Sequence, residues 1–177
     1  MKTAWLLGKN LLFTLLVPGF VVGWVPLRWF ERRAQWPVAA DWKWHHTAGA
    51  VVFAIGAVVY LHCLWLFAVR GRGTPAPFDA PRKLVWRGLY KWVRNPMYLG
   101  VLALVAGETL FLRSNHILVY LVCLACSFQL FVVGYEEDAL RLQFGAMYED
   151  YKRAVPRWLP RKPRPQLQTV APFEVRR

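Results

Sequence analysis

The sequence predicts an all-α, polytopic membrane protein with about four transmembrane helices. Three observations predict it. Hydrophobic residues make up 56% of the 177, and the mean hydropathy is positive at +0.26, which is unusual for a soluble domain of this length. Ten tryptophans occur in so short a chain; indole rings favour the headgroup region, where one edge is apolar and the N–H is wet. The net charge of +13 is gathered into a few segments, with long uncharged runs between them. A nucleic-acid binder needs basic residues arrayed on one soluble face, so that partner is excluded.

About 20 apolar residues cross the hydrocarbon core as a helix. The first run extends from about Leu11 to Leu27. Lys2 and Lys9 precede it, but no small-residue cleavage site is evident and the run contains Pro18 and Gly19, so it reads as a retained helix. The second run, Trp44 to Val69, holds no Asp, Glu, Lys or Arg. The third, Met97 to Leu112, carries one acid, Glu108, and the fourth, Asn115 to Tyr135, carries no formal charge.

The connections differ in kind. Residues 28–46 carry Trp29, Trp36, Trp42 and Trp44 among mixed charges, an interfacial loop or a helix lying on the surface. Residues 70–94 are strongly basic, with Arg70, Arg72, Arg82, Lys83, Arg87, Lys91 and Arg94 against Asp79 alone, and the Gly/Pro-rich start at 71–77 cannot be regular helix. Arg113-Ser114-Asn115 is a tight turn, which makes the third and fourth helices an antiparallel hairpin. From Glu136 the chain is polar, basic and partly helical until Pro156, Pro160, Pro163 and Pro165 end regular structure. The last dozen residues are expected to be poorly ordered. Three parts follow: N-terminal membrane helices over 1–69, a half over 70–160 made of the basic loop, the helical hairpin and the tail helix, and a basic, Pro-rich tail over 161–177.

Basic residues mark the cytoplasmic side. The 70–94 loop and the tail therefore face the cytoplasm, and with four crossings both termini do. The 28–46 loop would then face outward despite Arg28, Arg32, Arg33 and Lys43. Either its charges are outvoted, or a fifth, interfacial or re-entrant element lies there. In both cases the basic loop and the tail meet at one membrane surface, open to water on one side and to lipid on the other.

No metal site is predicted. Cys63, Cys123 and Cys126 lie in apolar runs, and the CxxC spacing of the last two lacks a second pair or a nearby histidine. His45, His46 and His62 show no ligand spacing and read as interfacial or packing residues.

Two segments carry chemistry. The first is Gly88-Leu89-Tyr90-Lys91-Trp92-Val93-Arg94-Asn95-Pro96-Met97-Tyr98-Leu99-Gly100. Pro96 fits a helix N-terminus, where its missing N–H costs nothing, and such a terminus offers free N–H groups to an anion. By itself this is an ordinary loop-to-helix cap. The second segment opens with Glu136-Glu137-Asp138, acids that must be paired at a membrane boundary, with Arg94 or Arg141 within reach of a charge-balance role. It continues through Phe144-Gly145, Tyr148 and Tyr151 to Val155-Pro156 and Leu159-Pro160.

Taken together over roughly 82–160, these segments resemble the isoprenylcysteine carboxyl methyltransferase family and, more distantly, the phospholipid methyltransferases. That family shows Gly-x-Tyr, Arg-His-Pro-x-Tyr-x-Gly, a helical hairpin, Glu-Glu, Phe-Gly-x-x-Tyr-x-x-Tyr and Val-Pro-x-x-Leu-Pro in this order. The resemblance implies S-adenosylmethionine-dependent methyl transfer with S-adenosylhomocysteine as product. By position it assigns the cofactor to Leu84, Val85, Tyr90, Asn95, Pro96, Met97, Tyr98 and Glu136. The chemistry suits the assignment. Aromatic faces stabilise a sulfonium, an acid binds an amino group or ribose hydroxyls, and Arg94 with the following helix N-terminus can hold a carboxylate.

An in-line displacement needs alignment and exclusion of water above all. An amine or hydroxyl acceptor would also need a base, for which Glu137 and Glu108 are the candidates. Two positions depart from the family. Asn95 replaces its histidine, and Val132 stands where the eukaryotic enzymes carry an arginine for the substrate carboxylate. The expected acceptor is accordingly another lipophile, an isoprenoid, a lipid or a lipid-linked group, in a bacterial inner-membrane relative. Glu108 has a second reading, as an acid at the outer boundary paired with Arg113.

Two other functions compete. Membrane NADPH-dependent sterol-reductase-type enzymes share an Arg-x-Pro-x-Tyr-x-Gly turn, but they usually carry Asn at the position of Met97. A non-catalytic membrane protein would keep the motifs for folding alone.

Overall fold

The computed structural model describes residues 8, 12, 14–30 (29 and 30 by backbone only), 42–67, 69, 84 and 86–162. Among them every regular element is helical. Helix α1 is Thr14–Arg28, α2 is Trp44–Leu66, α3 is Pro96–Leu112 and α4 is Asn115–Phe131. A π-helical stretch, Val132–Glu136, joins α4 to α5, Glu137–Phe144, and α6 follows over Ala146–Ala154. The expected start of the first run at Leu11, most of the Trp-rich and basic loops, Val85 and the chain beyond 162 lie outside the described residues.

The α1 helix contains its own π-helical stretch, Gly19–Trp24, directly after Pro18. Proline has no N–H to return to the preceding turn, and a wider turn absorbs the break.

The centre of the fold is the α2–α3 pair. Gly49 and Gly56 on α2, and Gly100 and Gly107 on α3, are each seven residues apart. Seven residues are about two turns, so each pair lies on one face. A Cβ on Gly49 would stand 2.6 Å from the Phe111 backbone nitrogen, one on Gly56 2.8 Å from the Gly100 carbonyl oxygen, and one on Gly107 2.6 Å from the Phe53 nitrogen. The two backbones run antiparallel in direct contact. Close backbone approach through small residues is how helices associate where lipid removes the hydrophobic drive.

The tight turn after α3 forms as expected. Arg113 takes a left-handed conformation at φ 49°, and the Ser114 hydroxyl accepts from the Ile117 N–H at 3.4 Å. Helix α4 then returns along α3, burying Ile117 completely against a core that includes Val101, Leu104 and Val105. Val22 of α1 joins this core, and the Tyr120 hydroxyl donates to the Val21 carbonyl at 2.9 Å.

The outer faces are apolar. Val51, Ile55, Val58 and Leu61 form one exposed stripe on α2, and Val119, Val122 and Leu130 are exposed on α4. Such faces need lipid. Exposed Trp44 and Trp65 stand at the two ends of α2, about 30 Å apart by helical rise, which matches the hydrocarbon thickness. Two helices, Trp44–Leu66 and Asn115–Phe144, are long and apolar enough to cross a membrane, whereas Thr14–Arg28 and Pro96–Leu112 are shorter.

Beyond α4 the chain folds back over the end of the bundle. Gly145, at φ 55°, turns α5 into α6. Phe144, Tyr148, Tyr151 and Val155 form a second core beside Leu84 and Trp86. The closing segment then lies along the loop before α3: the Arg94 N–H donates to the Pro156 carbonyl at 2.9 Å, and the Arg161 N–H to the Trp92 carbonyl at 3.0 Å.

Candidate active site

Pro96 opens α3 in the first helical turn, with Asn95 as its N-cap in a non-helical conformation. This fixes how Arg94, Asn95 and Tyr98 project at the end of the bundle. Facing them, the turn of α4 into α5 presents two consecutive acids in different directions, since neighbouring residues on a helix point about 100° apart. Glu136 accepts from the Tyr98 hydroxyl at 2.7 Å. Glu137 takes the Arg94 Nη1–H at 3.0 Å, the Arg157 Nε–H at 2.6 Å and the Lys152 ammonium at 3.0 Å. The π-helical stretch lies immediately before this divergence, a local widening often found at functional sites.

The tyrosines of the tail act from behind. Arg94 also donates to the Tyr148 hydroxyl at 3.3 Å, and the buried Tyr151 hydroxyl donates to the Tyr90 carbonyl at 2.8 Å. Burial pushes the Tyr151 phenol above its ordinary range, which keeps it a donor. Asn95 donates through Nδ2 to the Arg157 carbonyl at 3.3 Å. The Phe-Gly-x-x-Tyr-x-x-Tyr and Val-Pro segments are thus the buttress of the loop before α3.

Between these walls lies a cleft of about 130 Å³. Tyr90, Arg94, Asn95, Met97, Tyr98 and Glu136 line one side. Val17, Pro18 and Val21 of α1 close another, and Tyr60, Phe67 and Phe128 complete the wall. Tyr90 meets Phe67 edge-on at 5.7 Å, and Tyr98 packs on Phe128 at 4.7 Å between ring centroids. Arg94 Nε is buried without a hydrogen-bond partner among the described residues.

The cleft therefore gathers five of the eight positions named for the cofactor other than Pro96, Leu84 and Val85, together with Arg94. Pro96 is fully buried behind it. Leu84 packs against the Phe144 and Tyr148 core instead, and Val85 lies outside the described residues. The two candidate bases are placed differently. Glu137 is held by three cations. Glu108 is ten residues beyond Tyr98 on α3, about 15 Å along the helix, and lines a separate cavity. No ion pair joins it to Arg113 among the described residues. The wall residues from α1 and α2 were not singled out from sequence. Tyr60 offered a signal, as a polar group inside an apolar run, and it pairs with Thr14 at 2.9 Å.

A family model described as phospholipid methyltransferase matches residues 44–147. The chain belongs to that family. Its match covers α2 through the start of α6, and so includes the glycine seam, the Arg94–Tyr98 turn and the acid pair. Over 80 residues the chain is 41% identical to methanethiol S-methyltransferase 2 of Bradyrhizobium diazoefficiens, a match covering 41% of this chain and 27% of that relative. No solved structure matches. The family accords with the methyltransferase motifs and leaves the reductase reading without support.

Proposed function

We propose that the chain is an integral membrane methyltransferase that uses S-adenosylmethionine and acts on a lipophilic acceptor at the cytoplasmic face. In this reading it makes four crossings, has both termini in the cytoplasm of a bacterial inner membrane, and divides at about residues 69 and 160. The observation that carries the proposal is the cleft itself, where a guanidinium nitrogen lacking a partner among the described residues, a carboxylate and five aromatic rings converge. Arg94 Nε, a donor without a partner among the described residues, suits a carboxylate. Glu136, oriented by Tyr98, suits an amino group or ribose hydroxyls. The faces of Tyr90 and Tyr98 suit a cationic sulfur. When bound, S-adenosylmethionine would supply a methyl group made electrophilic by that sulfur.

Ligand pockets of this size class occupy roughly 300 Å³ or more, so the cofactor enters a widened cleft. The wall assigned to move is α1, which crosses its mouth with Val17, Pro18 and Val21. With Glu137 fully engaged and Glu108 remote, the cleft offers no spare base among the described residues. An acceptor that ionises in water by itself, a carboxylate or a thiol, suits it best. The methanethiol S-methyltransferase relative favours the thiol.

Calorimetric titration of detergent-purified protein tests this. S-adenosylmethionine and S-adenosylhomocysteine should bind saturably, NADPH should not, and Glu136→Ala should abolish the binding. Binding of NADPH alone, or of neither ligand by a folded protein, would overturn the proposal. Methyl transfer from the labelled cofactor to an alkyl thiol and to a lipid carboxylate then separates the acceptors.

A further inference from the structure

A second cavity, of about 320 Å³, opens between α1, α2 and α3 at the end of the bundle away from the cleft. Pro26 and Leu27 of α1, Ala50 and Phe53 of α2, and Phe111 and Leu112 of α3 line it. Its glycine wall is Gly49 and Gly107, the same residues that bring α2 and α3 into backbone contact. A seam without side chains leaves a hollow beside it, which no side chain of the described residues fills. The size falls within the range of small-molecule sites.

The charged side chain on this otherwise apolar wall is Glu108. Its Oε2 is buried and has no hydrogen-bond partner among the described residues. An unpartnered buried carboxyl oxygen is costly, and every such group calls for a partner. An ionised carboxyl there lacks a donor, and a protonated one can turn its O–H to an acceptor, so a group that does both, a hydroxyl, suits either form. Lys43 and Arg113, the residues capping the adjacent ends of α2 and α3, place two cations near the rim. They disfavour an ammonium head and leave a neutral one.

We propose that this cavity binds a lipophilic alcohol, one apolar chain seated against Phe53 and Phe111 with its hydroxyl hydrogen-bonded to Glu108. The site is separate from methyl transfer and does not depend on the cofactor reading.

Photolabelling in phosphatidylcholine nanodiscs tests it. A decanol bearing a diazirine is crosslinked to the protein, labelled peptides are mapped by mass spectrometry, and 1-decanol, decane, decylamine and decanoate compete. Labels are expected on the peptides holding Gly49–Phe53 and Phe111–Leu112. Decanol should compete about fivefold better than decane, the ratio of one neutral hydrogen bond, and better than decylamine or decanoate. Glu108→Leu should erase that advantage and Glu108→Gln should keep it. Ala50→Phe, a change at an exposed wall position, should block labelling should Glu108→Leu fail to fold, with circular dichroism reporting the fold of each variant. Equal competition by decane, stronger competition by decylamine or decanoate, labelling elsewhere, or indifference to the variants would each overturn the proposal.

Discussion

The two ends of α3 bury a carboxylate in opposite ways. At one end, α3 meets Glu136, whose oxygen accepts from Tyr98, and Glu137, which holds two guanidiniums and an ammonium. At the other, Glu108 leaves an oxygen without a partner among the described residues, beside an apolar hollow. The helix that carries both ends is the same, and the same glycine seam fixes it to α2. The difference comes from what folds over each end. The tail from α5 to Arg161 supplies donors to the first, whereas α1 and α2 supply apolar walls to the second. A satisfied polar network makes a rigid site, and an unpaired buried polar group is a local cost.

The largest effect should come from breaking the seam that both ends share. A Cβ at Gly56 meets the Gly100 oxygen and the Leu104 nitrogen at 2.8 Å, and both are backbone atoms that cannot swing away. Gly56→Val should cost about 3 kcal/mol or more, at the top of the overpacking range. In detergent the variant should aggregate or melt far below wild type, and a variant of unchanged thermal midpoint would show that the seam is looser than the contact distances imply.

Next comes the network at one end alone. The side chains of Arg94 and Glu137 are only 9% and 6% exposed, so removing the acid strands a buried guanidinium. Glu137→Ala should lower stability by about 3 kcal/mol and weaken cofactor binding with it. If Glu137 were instead the general base, Glu137→Gln would abolish turnover while the thermal midpoint and cofactor affinity stayed put.

A smaller and more selective change separates the ends. Tyr98→Phe removes the hydroxyl that orients Glu136 and should weaken S-adenosylmethionine binding about tenfold, as expected for one hydrogen bond to a charged group. The comparable change near the other end, Thr109→Val, deletes a hydroxyl bonded to the Val105 carbonyl at 2.8 Å. Calorimetry should find its cofactor affinity unaltered. Equal losses in both variants would mean that α3 transmits packing defects along its length and that the two ends are not independent.

How much of this was legible in the sequence differs between the same two ends. The bounds of α3 and α4 could be read within a residue or two at their starts, because Pro96 and Arg113-Ser114-Asn115 punctuate the chain. The polar end was legible as an ordered set of motifs. Their physical roles were not, because Tyr148, Tyr151 and Arg157 lie 54, 61 and 20 residues from the groups they touch. The seven-residue glycine spacing on both α2 and α3 was present in the sequence as a packing signal. The cavity beside it was not, since a hollow arises from three helices meeting. Glu108 illustrates the limit: its place near the outer end of an apolar run could be read, yet the expected pairing with Arg113 does not form among the described residues.

The weakest predicted effect tests whether the tail shapes the cleft or merely covers it. The Tyr151 hydroxyl touches no cleft wall directly. It donates to the carbonyl of Tyr90, whose ring does line the cleft. Tyr151→Phe should cost about 1 kcal/mol of stability, the net value of one buried hydrogen bond. If the bond positions Tyr90, cofactor affinity should fall as well, and Tyr90→Ala combined with Tyr151→Phe should lose no more affinity than Tyr90→Ala alone. If Tyr151 merely stabilises, the two losses in affinity will not overlap, because the single variant will bind as wild type. Titration below the melting range of each variant distinguishes these outcomes, and so decides whether the motif spacing of Tyr148 and Tyr151 serves the reaction through Arg94 and Tyr90 or serves the fold alone.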